Sequence, residues 1–164
     1  MFSTKNVIKF LYLFTFILLS SQSFSETITF KGLVLSEFWI KKVIANNDIT
    51  TGYIKIENKN DKNEFLISVK SDFSKRIELH DMYIKNNIMM MKHLEGGVLI
   101  KSKSRLDFKP KSLHIMFIDL TKSLKKTKLQ KVQFNFKNAG SIVVNMPIMD
   151  KRKKSNEKKK HHHH

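Results

Sequence analysis

Short apolar runs separated by polar turns follow one another along most of the chain, and this pattern limits the fold more than any other feature. No segment after residue 25 holds the 3.6-residue apolar period of a helix for long. The predicted strands are residues 28–35, 38–43, 52–57, 64–69, 76–84, 88–94, 106–108, 113–120, 131–136 and 141–146. Turn-forming pairs such as Asn86-Asn87 and Gly96-Gly97 separate them. We therefore predict an all-β sandwich or barrel.

The N-terminal segment has the layout of a signal peptide. Lys5 and Lys9 precede an apolar stretch over residues 10–19, and small polar residues follow it. This stretch is shorter than the roughly 20 residues that a membrane-spanning helix needs. We predict a signal peptide over residues 1–25 that is cleaved after Ser25, with an uncleaved anchor as the alternative. Either outcome exports the rest of the chain.

The remaining sequence suits one domain, predicted over residues 26–149, because it is long enough for a single core. The sequence contains no cysteine. This excludes thiol redox chemistry, lipid attachment through an N-terminal cysteine, and metal sites built on thiolates. No G-x-S-x-G, H-E-x-x-H or glycine-rich phosphate loop is present either, so we do not expect an enzyme.

The formal net charge of +17 is unevenly spread, because residues 151–164 alone carry seven lysines or arginines against one glutamate. Residues 150–164 are rich in lysine and too poor in apolar residues to fold, so we predict a disordered tail. The tail ends in His161, His162, His163 and His164, which we interpret as native rather than as the remnant of a purification tag. Nucleic acid is the usual partner of such charge, but export argues against it. Contact with an anionic membrane surface stays open.

Two of the three histidines before the tail are followed by methionine two residues later. His80 precedes Met82, and His114 precedes Met116, whereas His93 has no such partner. Residues i and i+2 of a strand share a face. Each pair would therefore present an imidazole and a thioether side by side, as a two-pronged metal clamp.

Three consecutive methionines, residues 89–91, lie on the second arm of a predicted hairpin that turns at Asn86-Asn87. A two-residue turn would set Met91 opposite Met82 and His93 opposite His80. One more loop residue would exchange Met90 for Met91. The third element of the site therefore depends on the register.

The ligand types identify the metal. Thioether sulfur is soft and uncharged, which suits Cu(I) and disfavours zinc, calcium and magnesium. A blue-copper electron carrier would also need a cysteine thiolate, so the residues indicate a carrier of copper rather than of electrons. The alternative is that the methionines fill the core and the histidines are structural.

Three segments, residues 76–82, 89–97 and 106–120, together resemble the PCu(A)C family of periplasmic copper chaperones. The resemblance implies a cupredoxin-like Greek-key β-sandwich in the periplasm. It implies that Cu(I) is held by His80, Met91, His114 and Met116, and Met82 also fits the family pattern. Met89 and His93 are further auxiliary candidates, with a surface residue as the alternative for His93. Lys111 departs from the family, which usually has glycine after the proline of this turn. Asp81 and Asp119 are near the candidate ligands in sequence, and a single carboxylate at such a place is more often a hydrogen-bond partner of a ligand than an acid or a base.

The same resemblance implies partners. Family members are linked to delivery of copper to the binuclear site of cytochrome c oxidase, together with Sco-like proteins. Some carry a C-terminal extension that takes up Cu(II), which makes the histidines at 161–164 a candidate Cu(II) site. We expect a monomer. The competing functions are a periplasmic copper store or resistance protein, and a β-sandwich interaction module without metal.

Overall fold

The computed structural model describes residues 26–43, 47–121, 124 and 127–150. The predicted signal peptide and the tail beyond Asp150, including its four histidines, lie outside the described residues. In the part of the chain that is described, no helix is long and apolar enough to cross a membrane. The domain limits of 26–149 stay a prediction.

The described residues form eleven β-strands, so the prediction of an all-β fold is confirmed. The strands are β1 Thr27–Phe30, β2 Leu33–Lys41, β3 Thr50–Asn58, β4 Glu64–Lys70, β5 Ser74–Lys85, β6 Ile88–His93, β7 Val98–Ile100, β8 Ser104–Phe108, β9 His114–Leu120, β10 Leu129–Phe136 and β11 Gly140–Met149.

The strands form two sheets that are joined through β11. One sheet has the order β6-β5-β9-β3-β2, with β8 also beside β3 and β1 beside β2. The other has the order β11-β10-β4-β7. The end of β11 crosses to the first sheet, where Ile148 pairs with Ile40 of β2 in parallel. In the first sheet, strands distant in sequence, β5, β9 and β3, lie side by side.

The core lies between the sheets and is filled by aliphatic and phenylalanine side chains from both. Ile54 and Ile115 of the first sheet and Phe134 of the second are fully buried. Phe117 packs against Phe73 with ring centroids 4.8 Å apart. It also covers Gly52, where an added Cβ would lie 2.8 Å from the Phe117 ring. Strand alternation therefore sends the intervening residues of β9 to the outer face.

The predicted break between residues 35 and 38 is wrong. The chain turns earlier, at Lys31-Gly32, where both residues have positive φ angles of 47° and 79°. β2 then runs through the expected break by means of a β-bulge between Ser36 and Trp39, with Glu37 at φ 50°. A bulge keeps the strand paired while adding one residue, which a simple alternation pattern cannot distinguish from a turn. The short strand β7 was also missed.

A buried carboxylate fastens β4 to the turn between β10 and β11. Glu64 is 3% exposed and accepts hydrogen bonds from the backbone nitrogens of Phe65, Asn138 and Ala139. Burial alone would raise the pKa of Glu64, but these hydrogen bonds outweigh it and hold the pKa below its ordinary value. The carboxylate therefore stays ionised in the folded protein.

Candidate metal centre

The hairpin of β5 and β6 has the two-residue turn that fixes the predicted register. Asn86 and Asn87 both have positive φ angles, 50° and 60°, as a tight hairpin turn requires. Met82 consequently lies opposite Met91, and His80 lies opposite His93. Of the two registers left open by the sequence, the structure has the one that brings Met91 rather than Met90 to the histidines.

β9 brings the second His-x-Met pair to the other side of β5. His114 lies opposite His80, and Met116 lies opposite Glu78. The His80 ring centroid is 5.7 Å from that of His114 and 5.5 Å from that of His93. Because residues directly opposite one another share a face, the three imidazoles form a row across β6, β5 and β9.

The methionines complete this face. Met82, Met91 and Met116 all share the face of the histidines, and so does Met89 nearer the hairpin tip, opposite Ile84. Met90 faces the other way. The structure therefore places all the main candidate ligands on the same outer face of the first sheet.

The ligands differ strongly in their exposure. His80 and His114 are 7% and 6% exposed, whereas Met91 is 48% exposed and His93 is also exposed. Copper could therefore approach the two buried imidazoles from the side of β6.

The turn before β9 holds His114. The Nδ1 of His114 lies 2.8 Å from the carbonyl oxygen of Ser112. A carbonyl only accepts, so Nδ1 donates and Nε2 keeps a free lone pair for a metal. Lys111 adopts a φ of 64°, the left-handed conformation that favours glycine. The turn thus has a glycine-like backbone at Lys111.

A carboxylate that the sequence interpretation overlooked touches His80. Glu78 Oε2 lies 2.7 Å from His80 Nε2, and Arg76 Nε lies 3.5 Å from Glu78 Oε1. The hydrogen bond from His80 is the main cause that lowers the pKa of Glu78; burial opposes it, and the charges of His93 and Arg76 add to it. The i, i+2 rule that paired His80 with Met82 could have found Glu78 as well.

The two aspartates near the candidate ligands in sequence are placed differently by their strands. Asp81 lies opposite Lys92, on the reverse face of the hairpin from His80. Strand alternation turns Asp81 away from the site, so the expectation for Asp81 is wrong. Asp119 departs from the regular alternation of β9, with a φ of 55°, and its side chain is exposed.

The donor set fits a soft metal. Within the described ranges, no three His, Cys, Asp or Glu side chains are grouped so that they could hold an ion. Any ion held beside His80 and His114 would therefore have to draw on other donor types, and the thioethers of Met91 and Met116 are the candidates on the same face. Uncharged nitrogen and sulfur donors suit Cu(I) better than zinc or calcium.

Comparisons with known proteins agree with this fold. The sequence model of the LpqE-like family, whose description names lipoproteins, matches residues 33–148. A search of curated protein sequences gives no significant match.

Three similar solved structures share the fold at low sequence identity. The copper-bound PCuAC domain from PmoF2 is 16% identical, with a TM-score of 0.65, and the match covers 76% of this chain and 98% of that domain. The apo PCuAC domain from PmoF1 is 21% identical, with a TM-score of 0.66 and coverage of 76% and 99%. The solution structure of CuI-DR1885 from Deinococcus radiodurans is 14% identical, with a TM-score of 0.56 and coverage of 80% and 85%.

The family match spans β2 to β11, which includes every strand that carries a candidate ligand. The resemblance inferred from the sequence is confirmed, and so is the cupredoxin-like β-sandwich. The chain belongs to the LpqE-like family and has the fold of the PCuAC domains.

Proposed function

We propose that this protein binds Cu(I) through His80, Met91, His114 and Met116 and carries it as a copper chaperone. The observation that carries the proposal is the strand register, which brings two His-x-Met pairs and a third methionine onto one face. These residues come from three separate stretches of sequence. A chance arrangement of core methionines would not place them together with two adjacent imidazoles on an outer face.

The ligand geometry suits transfer rather than permanent storage in the core. Two imidazoles are buried, but Met91 lies on an exposed edge strand. An incoming ligand from a partner could displace the Met91 thioether while the imidazoles still hold the ion. Cu(I) would then pass by ligand exchange, with Met82 as an auxiliary donor, and no catalytic step is needed.

The comparisons support copper as the cargo and export as the setting. One similar domain is described as copper-bound, and another protein of this fold is described with CuI. The description of the family names lipoproteins, although this sequence has no cysteine for lipid attachment. Together with the apolar N-terminal segment, these points support a periplasmic protein with a cleaved signal peptide.

We further propose that the copper is delivered for assembly of the copper site of cytochrome c oxidase, together with a Sco-like protein. The support is the family resemblance of the ligand motifs. His161–His164 would collect Cu(II) ahead of the main site. A copper store or resistance protein would use the same ligands, and it is the second candidate.

The binding claim is tested by anaerobic Cu(I) titration against a competing chelator. The protein used in this titration starts at residue 26 and carries alanines at 161–164, so that the histidines of the tail do not compete for copper. The His114→Ala, Met116→Ala double variant removes two ligands, and its affinity should fall by more than the roughly 10- to 100-fold typical of losing an outer-shell partner. Met90→Ala, on the opposite face of β6, is the control. Equal affinity in wild type and the double variant would refute the site.

The delivery claim needs a cellular measurement. Deletion of the gene should lower cytochrome c oxidase activity in copper-poor medium, and added copper should restore it. Normal oxidase activity combined with copper sensitivity would instead favour storage or resistance.

A further inference from the structure

The hydrogen bond between Glu78 and His80 determines which imidazole nitrogen is free. An ionised carboxylate only accepts hydrogen bonds, so the His80 Nε2 atom, 2.7 Å from Glu78 Oε2, must carry the proton. The lone pair of the neutral ring then lies on Nδ1. That atom is buried and has no hydrogen-bond partner. A buried polar atom without a partner is costly, and a metal ion bound at Nδ1 would remove that cost.

We propose that Glu78 is a positioning residue that holds His80 with its proton on Nε2, so that Nδ1 is the atom that binds Cu(I). The proposal rests on the proposed function and names a residue outside the four ligands. Carboxylate–histidine–metal arrangements fix the tautomer and the ring orientation and make the ligand more basic.

The two buried histidines then present different nitrogens to the metal. His114 donates its Nδ1 proton to the Ser112 carbonyl and offers Nε2, whereas His80 donates from Nε2 and offers Nδ1. Nδ1 is the ring nitrogen closer to the backbone. The copper ion would therefore lie closer to the backbone of β5 than to that of β9. This position is nearer to β6, where Met91 is placed opposite Met82.

Glu78 is itself held in place. Arg76, two residues earlier on the same face, lies 3.5 Å from the second carboxylate oxygen. Glu78 also lies opposite Met116 in the β5–β9 register. A negative charge at this point offsets the positive charge of Cu(I), which four neutral ligands leave uncompensated.

The first test uses the metal-free protein. The ¹⁵N chemical shifts of the His80 imidazole should show the proton on Nε2 in the wild type, and Glu78→Ala should shift the population toward Nδ1. Glu57→Ala is the control, because Glu57 lies on β3 in an ion pair with Lys59. A wild-type His80 with its proton on Nδ1 would overturn the proposal.

The second test is Cu(I) affinity by chelator competition. Glu78→Ala should weaken binding about 10- to 100-fold, as for other outer-shell partners of metal-bound histidines. Glu78→Gln keeps the volume and an accepting oxygen but loses the charge, so it should fall between alanine and wild type. Glu57→Ala should bind as the wild type does.

The outcomes separate the two proposals. If the wild type binds Cu(I) and Glu78→Ala binds equally well or more tightly, the role of Glu78 is wrong while the proposed function stands. Tighter binding would mean that the carboxylate competes with copper for His80. If the wild type does not bind Cu(I), the proposed function fails, and the ligand assignment fails with it.

Discussion

The two ends of the candidate site are built differently. His80 and His114 lie on β5 and β9, within a sheet whose inner face packs on the core, and both are nearly buried. Met91 lies on β6, whose six residues are all exposed and which, among the described strands, pairs only with β5. The two buried imidazoles therefore fix the position of the candidate site. The flexible Met91 thioether lies on the exposed part of the β5–β6 hairpin, here called the exposed arm, and gives access to the site.

The exposed arm is also unusually apolar. Tyr83, Ile84, Ile88, Met89 and Met90 of the hairpin are between 41% and 71% exposed. A hairpin whose side chains are this exposed has few contacts to hold it and belongs to the least stable part of a fold. We therefore expect mutations on the ligand-bearing face of the arm to change copper binding but not folding, and mutations of core residues beneath the imidazoles to change folding but not copper binding.

The largest expected contrast is in stability. Phe117 is fully buried beneath the ligand strand β9, so Phe117→Ala should lower the free energy of unfolding by about 3–5 kcal/mol. Ile84 is 71% exposed on the hairpin, and Ile84→Ala should change it by no more than about 0.5 kcal/mol. Urea denaturation of the metal-free proteins measures both. Comparable losses would mean that the hairpin is part of the cooperative core.

Acid should destabilise the β-sandwich by protonating Glu64. Its pKa is lowered on folding from an ordinary value of 4.5, so its contribution is complete above that pH and is lost as pH falls through the lower folded value. Glu64→Gln should cost about 1–3 kcal/mol near neutral pH and flatten the acid limb of the stability curve. Denaturation midpoints across acidic pH test this, with Glu57→Gln as the control. An unchanged acid limb would contradict it.

Within the arm, two adjacent methionines make a matched pair. Met91 shares the face of the histidines and Met90 does not, although both are similarly exposed. Met91→Leu should weaken Cu(I) binding about tenfold or more, roughly 1.4 kcal/mol, and Met90→Leu should leave it unchanged. Neither should alter the urea midpoint. Equal effects of the two substitutions would break the assignment of Met91.

The smallest expected effect is at Lys111, in the turn between β8 and β9 that precedes His114. Lys111 has a φ of 64°, which costs a side-chain-bearing residue about 1–2 kcal/mol. Lys111→Gly should therefore raise the free energy of unfolding by about 1 kcal/mol. The greater freedom of glycine in the unfolded chain reduces this gain. Cu(I) affinity should stay the same because the turn keeps its shape. Thermal denaturation and chelator competition measure the two effects, and a destabilised variant would contradict the expectation.

The sequence predicted most strands because alternation and turn residues act locally. Asn86-Asn87 favours a two-residue turn, and that turn alone sets Met91 opposite Met82. The first strands were misplaced because a bulge at Glu37 resembles a break in the pattern. The sequence interpretation did not name Glu78, although the i, i+2 spacing of a strand places it on the face of His80. Spacing alone does not show which carboxylate on a face touches an imidazole.

The sequence by itself determined the residue types, and thioethers and imidazoles without any cysteine are the basis for proposing Cu(I). It also placed the members of each His-x-Met pair on one face, because the two-residue period of a strand is a local property. Only the tertiary structure decided that β9 lies beside β5 with His114 opposite His80, and that both imidazoles are buried while Met91 is exposed. Pairing between strands distant in sequence depends on how the whole core packs, which no local pattern specifies.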